Sequence, residues 1–196
     1  MPRIRGASIG EHHEMVWAGL AEAMRQLLAE RDYDTINMGH IAASTGLARN
    51  TLYNYGRDKG ALSRALIERV GRPTVERVEA IAARASDPAP ARMSEIIGVV
   101  LESFTDPVMQ LMFRSDPEAP KGPGSPFHAI VVEVENVVRA GVARGEFRAV
   151  DDVPLTVELL SGVMRAGAER IGRDPAAFTA TAGSAREIIQ AALAGG

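Results

Sequence analysis

Polar side chains that can hydrogen-bond to DNA are concentrated in one short segment, residues 49–59. An arginine can donate paired hydrogen bonds to guanine or bind a phosphate, a threonine can contact a base edge or a thymine methyl group, and a tyrosine hydroxyl can reach the DNA backbone. A lysine in the first turn of a helix can bind phosphate together with the free backbone amides. We therefore predict DNA contacts at Arg49, Asn50, Thr51, Tyr53, Asn54, Tyr55 and Lys59.

The residues just before and within this segment meet the physical requirements of a helix-turn-helix. Ala42 is small enough for two helices to cross steeply, and Gly46 can adopt the left-handed backbone that reverses the chain between them. Ile41, Leu47 and Leu52 are then expected to face a shared core. The opposite side of the second of these helices is left available for a major groove.

The elements that position this segment follow from apolar spacing and capping residues. Apolar residues at three- and four-residue intervals predict a first helix over 11–31, and Asn37 is expected to cap a short second helix over 38–44. The third helix is expected over 49–55, with Ala48 as a weak cap. Asp58 is predicted to cap a long fourth helix, about 58–85, which Pro73 is expected to kink or interrupt near Gly71.

Helical spacing continues along the rest of the chain. Further helices are predicted over 93–104, 107–113, 127–144, 153–171 and 175–193, with a proline-rich and glycine-rich loop over 115–126. No segment alternates with period two over a useful length, so the predicted fold is all-α with about nine helices. We predict a three-helix helix-turn-helix domain over 1–57, followed by a helical ligand-binding and dimerisation domain over 58–196.

The block from Val16 to Leu66 resembles the DNA-binding region of the TetR family of transcription regulators. The resemblance is carried by Gly46-Leu47-Ala48-Arg49-Asn50-Thr51-Leu52-Tyr53-Asn54-Tyr55 and by Asp58-Lys59-Gly60-Ala61-Leu62. It implies a homodimeric repressor whose first three helices bind half of a near-palindromic operator. The positions that match the family's usual DNA contacts are Arg49, Thr51, Tyr53, Tyr55 and Lys59.

Three positions depart from the family pattern. The family commonly has Gly where Asp32 stands, a Ser or Thr cap where Ala48 stands, and Phe where Gly56 stands. The missing cap predicts a looser start of the third helix. The missing Phe, which in the family packs this region against the fourth helix, predicts a more mobile DNA-binding region.

The second half of the chain resembles the family in its helical layout more than in its motifs. The family expectation is that the last two long helices pair with their symmetry mates in a four-helix bundle, although an antiparallel pair within one monomer would use the same side chains. The predicted dimer-interface residues are Leu155, Leu159, Val163, Phe178, Ile188 and Ile189.

Bulky, adaptable apolar side chains predict a pocket for a small apolar or amphipathic effector in this second half. The predicted ligand-binding residues are Phe104, Met109, Met112, Phe113, Phe127 and Val131. Each of them is also an ordinary core residue in the plainer interpretation. Glu135 and Glu158 are either polar partners in this pocket or solvated surface charges.

The remaining composition excludes several function classes. The chain has no cysteine, its four histidines lack metal-ligand spacing, and it has no nucleophile elbow, phosphate loop or dinucleotide fingerprint. We therefore expect neither an enzyme nor a metal or cofactor site. The chain also has no apolar stretch near the roughly 20 residues of a membrane span and no signal-peptide pattern at its start, so a cytoplasmic protein without membrane contact is expected.

The charge distribution permits DNA binding near the N-terminus. The net charge is −3, but residues 1–72 contain 10 basic and 8 acidic residues, against 12 and 17 in the remainder. The alternative is a helical protein-interaction module that keeps the fold without specific DNA readout, in which Tyr55 is a core residue and Arg49 and Lys59 are solvated charges. The joint occurrence of these residues on one surface of a helix-turn-helix favours DNA.

Overall fold

The computed structural model describes residues 9–114, 125 and 127–195, and within them the chain is all helical with no strand. These residues form nine α-helices: α1 (Ile9–Glu30), α2 (Met38–Thr45), α3 (Arg49–Tyr53), α4 (Lys59–Ala82), α5 (Ala89–Ser103), α6 (Pro107–Gln110), α7 (His128–Ala143), α8 (Val153–Arg173) and α9 (Phe178–Leu193). The predicted all-α fold with about nine helices is confirmed. The predicted loop over 115–126 lies outside the described residues, apart from Ser125.

The chain divides into two compact units, Met1–Val70 and Gly71–Gly196, which we call the N-terminal and C-terminal units. The division falls within α4, whereas the domains predicted from the sequence assign all of α4 to the second. The helix is continuous through Pro73, so the interruption expected near Gly71 is absent. A proline lacks one backbone N–H and so removes one i→i−4 hydrogen bond, and the backbone hydrogen bonds of the neighbouring residues maintain this helix.

The N-terminal unit is built from α1, α2, α3 and the first part of α4 around a small apolar core. Its fully buried side chains are Leu20, Met24, Ile36, Ile41, Leu52, Leu62 and Leu66. Both predicted caps are confirmed: Asn37 accepts the backbone N–H of His40 at 3.0 Å, and Asp58 accepts that of Ala61 at 2.7 Å. Gly46 ends α2 with a φ of 69°, the left-handed conformation that the sequence predicts.

An aromatic and charged cluster joins α1 to the first part of α4. The guanidinium of Arg69 lies 4.6 Å from the ring centre of Trp17, and its Nη1 donates to both carboxylate oxygens of Glu14 at 2.9 and 3.0 Å. The ring of Tyr55, from the turn after α3, meets Trp17 edge-on at 5.0 Å. Cation–π contacts of this kind stabilise by about 0.5–1 kcal/mol at exposed sites, and more where the cation is desolvated.

Gly56 brings the turn after α3 into close contact with α4. A Cβ at this position would lie 2.6 Å from the backbone nitrogen of Leu62 and 2.7 Å from its Cα. The backbone of α4 therefore occupies the space into which a larger residue would place its side chain. In this chain the turn packs against α4 by backbone approach rather than by an aromatic anchor.

We predict that Gly56→Ala destabilises the N-terminal unit by about 1–3 kcal/mol, because the added methyl group must displace helix backbone. Gly19→Ala is the matched control, since Gly19 lies in α1 with no atom within 4 Å of the added Cβ. That control is expected to stabilise by about 0.5–1 kcal/mol, as alanine does in an exposed helix. Urea denaturation of both variants measures the difference, and equal stability of the two would contradict the close packing at Gly56.

The C-terminal unit packs α5 against α7, α8 and α9, and α8 against α9. A carboxylate joins the start of α5 to the residues that follow α7: Glu146 accepts the backbone N–H of Ala89 at 2.6 Å and pairs with Arg144 at 3.0 Å. Arg144 also donates to the carbonyl of Ala85 at 2.6 Å. The hydrogen bond from Ala89 and the charge of Arg144 lower the pKa of Glu146 below its ordinary value of 4.5.

We predict that Glu146→Gln destabilises the protein near neutral pH and that the difference from wild type disappears in acid. A carboxyl whose folded pKa is lowered contributes stability above its unfolded pKa, and that contribution is lost as the pH falls through the folded pKa. Thermal unfolding of both proteins, from neutral pH to well below 4.5, measures this convergence. A stability difference that stays constant over this range would contradict it.

Among the described residues, no single helix has both the length and the apolar character to cross a membrane. One bent pair, Ala89–Ser103 with Pro107–Phe113 at 94°, has the length and the apolar composition of a span only when its two parts are taken together.

Candidate functional site

The exposed surface of α3, together with the residue that follows it, contains five of the predicted DNA contacts. All five are exposed to solvent, and they are Arg49, Asn50, Thr51, Tyr53 and Asn54. Leu52, between them, is 0% exposed and is the only residue of α3 directed into the core. The helix thus presents polar side chains outward while one leucine fixes it to the N-terminal unit.

The turn before α3 determines the direction in which these side chains point. Thr45 donates its hydroxyl to the carbonyl of Ile41 at 2.9 Å, at the end of α2. Ala48 makes no side-chain capping bond, as the sequence indicates, but its carbonyl accepts the N–H of Leu52 at 3.1 Å. The Arg49 guanidinium lies beside α2, since a Cβ at Gly39 would lie 3.4 Å from its Nη2.

The other two predicted contacts make structural interactions as well. The Tyr55 ring is half-buried and stacks on His13 at 5.4 Å in addition to its contact with Trp17. Lys59 donates to the carbonyl of Tyr33 at 2.7 Å, and its ammonium lies 4.1 Å from the centre of the Tyr33 ring. Both residues therefore help to hold α3 and α4 against the chain that precedes them.

Sequence reasoning did not assign the partners of these two residues. His13 and Trp17 contact Tyr55, and Tyr33 contacts Lys59, across separations of 26 to 42 positions in the chain. The available signal is the occurrence of Trp17 and Tyr33 in a chain with few aromatic residues. Periodicity within one helix does not show which distant ring such a residue meets.

A cavity of about 100 Å³ lies inside the C-terminal unit. From α5 it is lined by Met93, Ile96, Ile97 and Val100, and from α7 by Ile130, Val131 and Val134. From α8 and α9 it is lined by Val157, Leu160, Ser161, Met164 and Ile189. The lining has no aromatic ring and no charged group, so the cavity suits an apolar molecule.

Of the predicted ligand-binding residues, only Val131 lines this cavity. Phe104 and Phe113 instead stack on each other at 5.1 Å, and the Arg165 guanidinium lies 5.4 Å from the Phe113 ring. Met109 is buried, Met112 is half-buried, and Phe127 packs on Gly71 of α4. The clusters of aliphatic residues in the sequences of α5 and α7 are the feature from which the cavity could have been predicted.

Most of the predicted interface residues lie on the outer side of α8 and α9. Leu155 and Leu159 are 51% and 67% exposed and Ile188 is 53% exposed, while Val163 and Phe178 are half-buried. Ile189 is the exception, because it is 2% exposed and lines the cavity. A side chain enclosed by its own subunit is not available to a partner, so Ile189 is reassigned to the interior.

The two glutamates considered as pocket partners do not line the cavity. Glu135 pairs with Arg139 one turn along α7 at 2.7 Å, and Glu158 is exposed on α8. Within the described residues, no three His, Asp or Glu side chains are grouped as a metal site would require.

Comparison with known proteins agrees with this arrangement. Residues 20–66 match the family model of bacterial regulatory proteins, tetR family. No curated protein sequence matches the chain.

Several solved structures share the fold over most of the chain. FadR from Bacillus subtilis, a transcriptional regulator in complex with stearoyl-CoA, has a TM-score of 0.71 at 17% identity and covers 88% of this chain and 97% of its own. SmeT, the repressor of the Stenotrophomonas maltophilia multidrug efflux pump SmeDEF, has a TM-score of 0.70 at 19% identity, covering 90% and 89%. The SmeT–triclosan complex has a TM-score of 0.70 at 18% identity and covers 92% of each chain.

At these identities the likeness establishes the fold, and the family match locates the helix-turn-helix within it. The matched residues include α2, α3 and the turn around Gly46. Residues 20–66 therefore match the family model of bacterial regulatory proteins, tetR family, and most of the chain has a fold similar to those of FadR and SmeT.

Proposed function

We propose that this protein is a ligand-responsive transcription repressor that binds a near-palindromic operator as a homodimer. A small apolar or amphipathic molecule in the C-terminal unit releases it from DNA. The observation that carries the proposal is the exposed polar surface of α3, anchored by the buried Leu52 in a region that matches a regulatory family. An apolar cavity in the C-terminal unit supports the ligand response.

The chemistry of α3 suits a major groove. Arg49 can donate two hydrogen bonds to guanine, Asn50 and Asn54 can pair with adenine edges, and the Thr51 methyl group can contact thymine. Tyr53, which is 46% exposed, can reach a phosphate with its hydroxyl. In this proposal Tyr55 and Lys59 act at the flank, where their hydroxyl and ammonium groups approach the DNA backbone while their contacts with Trp17 and Tyr33 keep them in place.

The homodimer is proposed from the apolar surface of α8 and α9. Leu155 and Leu159 are one helical turn apart on α8, and the exposed residues that continue their stripe, Gly162 and Ala166, are small. Ile188 on α9 is exposed as well. Large exposed aliphatic side chains next to small ones allow helices of two subunits to approach closely and bury a continuous surface.

The ligand response is proposed to be a shift between two states of the dimer. In the DNA-binding state the two copies of α3 lie about one DNA turn apart, roughly 34 Å, so that both enter successive major grooves. A ligand that prefers a state with another spacing lowers DNA affinity by the ratio of its affinities for the two states. FadR is solved with stearoyl-CoA, which has a long apolar acyl chain, and SmeT is solved with triclosan, an apolar molecule, which supports an apolar or amphipathic effector here.

We predict that Arg49→Ala and Thr51→Ala each weaken binding to a selected operator by about 1–3 kcal/mol and relax the sequence preference at one position. The operator is obtained by selecting bound DNA from a random pool with the wild-type chain, and affinities are measured by fluorescence anisotropy. Arg77→Ala is the matched control, because Arg77 is an exposed arginine of α4 paired with Glu102 in the C-terminal unit. Unchanged affinity for both α3 variants would refute the assignment of α3.

Lys59→Ala is predicted to weaken binding to all DNA sequences alike. A phosphate contact carries no sequence information, and its loss reduces the salt dependence of log Kd by about one unit. Anisotropy titrations at several salt concentrations, on selected and random DNA, measure both effects. A protein-interaction module would instead show weak DNA binding with no preferred sequence in the wild-type chain.

Leu159→Lys is predicted to shift the protein from dimer to monomer without unfolding it. The leucine is 67% exposed, so the subunit tolerates a charge there, whereas a subunit interface would have to bury two unpaired ammonium groups. Met15→Lys is the control, an equally polar change at a 60% exposed residue of α1. Sedimentation velocity decides the matter: a monomeric wild-type protein, or a dimer that persists in Leu159→Lys, would contradict the proposed interface.

A further inference from the structure

The chemistry of the cavity lining restricts which molecules can occupy it. Eleven of its twelve lining residues are aliphatic or methionine, and Ser161 is the one polar side chain. An ionised group placed among these apolar side chains would lose its hydration and find no opposite charge. An aromatic ligand would find no ring to stack on.

The size of the cavity points in the same direction. Its volume is about 100 Å³, smaller than the roughly 150 Å³ of an engineered apolar cavity that holds benzene. The flexible side chains of Met93 and Met164 can adapt to a narrow guest. A short, flexible aliphatic chain fits these dimensions better than a ring system.

The hydrogen bonding of Ser161 determines which polar group the guest can carry. Its hydroxyl donates its one proton to the carbonyl of Val157 at 2.8 Å, one turn earlier on α8. The oxygen of Ser161 is then left with acceptor capacity only. A guest gains a hydrogen bond there if it brings an N–H or O–H donor, and gains none if it brings only a carbonyl oxygen.

We propose that the effector of this protein is an uncharged aliphatic alcohol whose chain lies among the α5, α7 and α8 side chains and whose hydroxyl donates to Ser161. This inference rests on the proposed function, and it specifies the chemical class of the molecule that the C-terminal unit senses. Ser161 is exposed at its outer side, so the hydroxyl end of the alcohol lies where the cavity opens to solvent.

The test uses the full chain with ¹³C-labelled methionine methyl groups and n-pentanol as the probe. We expect saturable shifts of the Met93 and Met164 signals, with Met15 and Met38 of the N-terminal unit as internal references. Pentanoate is expected to bind at least about tenfold more weakly than pentanol, because its carboxylate has no proton to donate to the Ser161 oxygen and would approach that oxygen as a second acceptor.

Ser161→Ala is expected to weaken pentanol binding about tenfold and to leave the binding of a pentanone unchanged, because only the alcohol uses the serine oxygen. Ser184→Ala, which alters an exposed serine of α9, is the matched control and should change neither. The inference is overturned if pentanoate or the pentanone binds as tightly as pentanol, if no saturable shift occurs, or if the shifts appear at Met109 and Met112 instead.

DNA binding is measured separately by anisotropy on the selected operator. Failure of the chain to bind any DNA sequence specifically refutes the proposed function, while the ligand titration still decides the class of guest. Specific DNA binding together with a failed ligand titration refutes this inference alone.

Discussion

The arrangement of the N-terminal unit depends on the burial of one side chain, Leu52. Its helix, α3, has only five residues, and isolated helices shorter than about 12 residues are marginal in water. The polar residues of α3 therefore keep a fixed orientation only because Leu52 is anchored in the core formed by α1, α2 and α4. The left-handed Gly46 before the helix and the close backbone approach of Gly56 after it fix its two ends.

The flanks of α3 are supported by aromatic and charged contacts rather than by additional apolar volume. Trp17 lies between the Tyr55 ring and the Arg69 guanidinium, and Arg69 is in turn held by Glu14. Tyr55 and Lys59 pack within the N-terminal unit and are also proposed to contact phosphates. Their side chains are therefore already ordered before DNA binds, which reduces the entropy lost on binding. This explains why Tyr55 and Lys59 are less exposed than the residues of α3 itself.

The C-terminal unit uses the two sides of α8 for different purposes. Val157, Leu160 and Met164 line the internal cavity, whereas Leu155 and Leu159 remain on the outer surface. The inner side chains leave a cavity between the helices, and Leu155 and Leu159 are large aliphatic side chains on the outer surface. One helix thus connects the cavity of the C-terminal unit with the surface proposed for dimerisation, so a guest that displaces α8 side chains could act on that surface directly.

The sequence by itself determined the helical fold, the caps at Asn37 and Asp58, the turn at Gly46 and the polar surface of α3. These features depend on local spacing, on backbone conformation and on hydrogen bonds between residues three or four positions apart. When a helix has two apolar sides, the sequence does not show which of them faces the interior. Periodicity identifies an apolar residue but not the residue that it contacts. Only the tertiary structure shows that Ile189 lies in the interior rather than at the surface. It also shows that the cavity is lined by aliphatic side chains of α5 and α7, whereas Phe104 and Phe113 stack on each other outside it. The contacts of His13 and Trp17 with Tyr55 are likewise visible only in the tertiary structure. These outcomes depend on how helices distant in sequence pack against one another, and that packing is decided by the joint shape of many side chains.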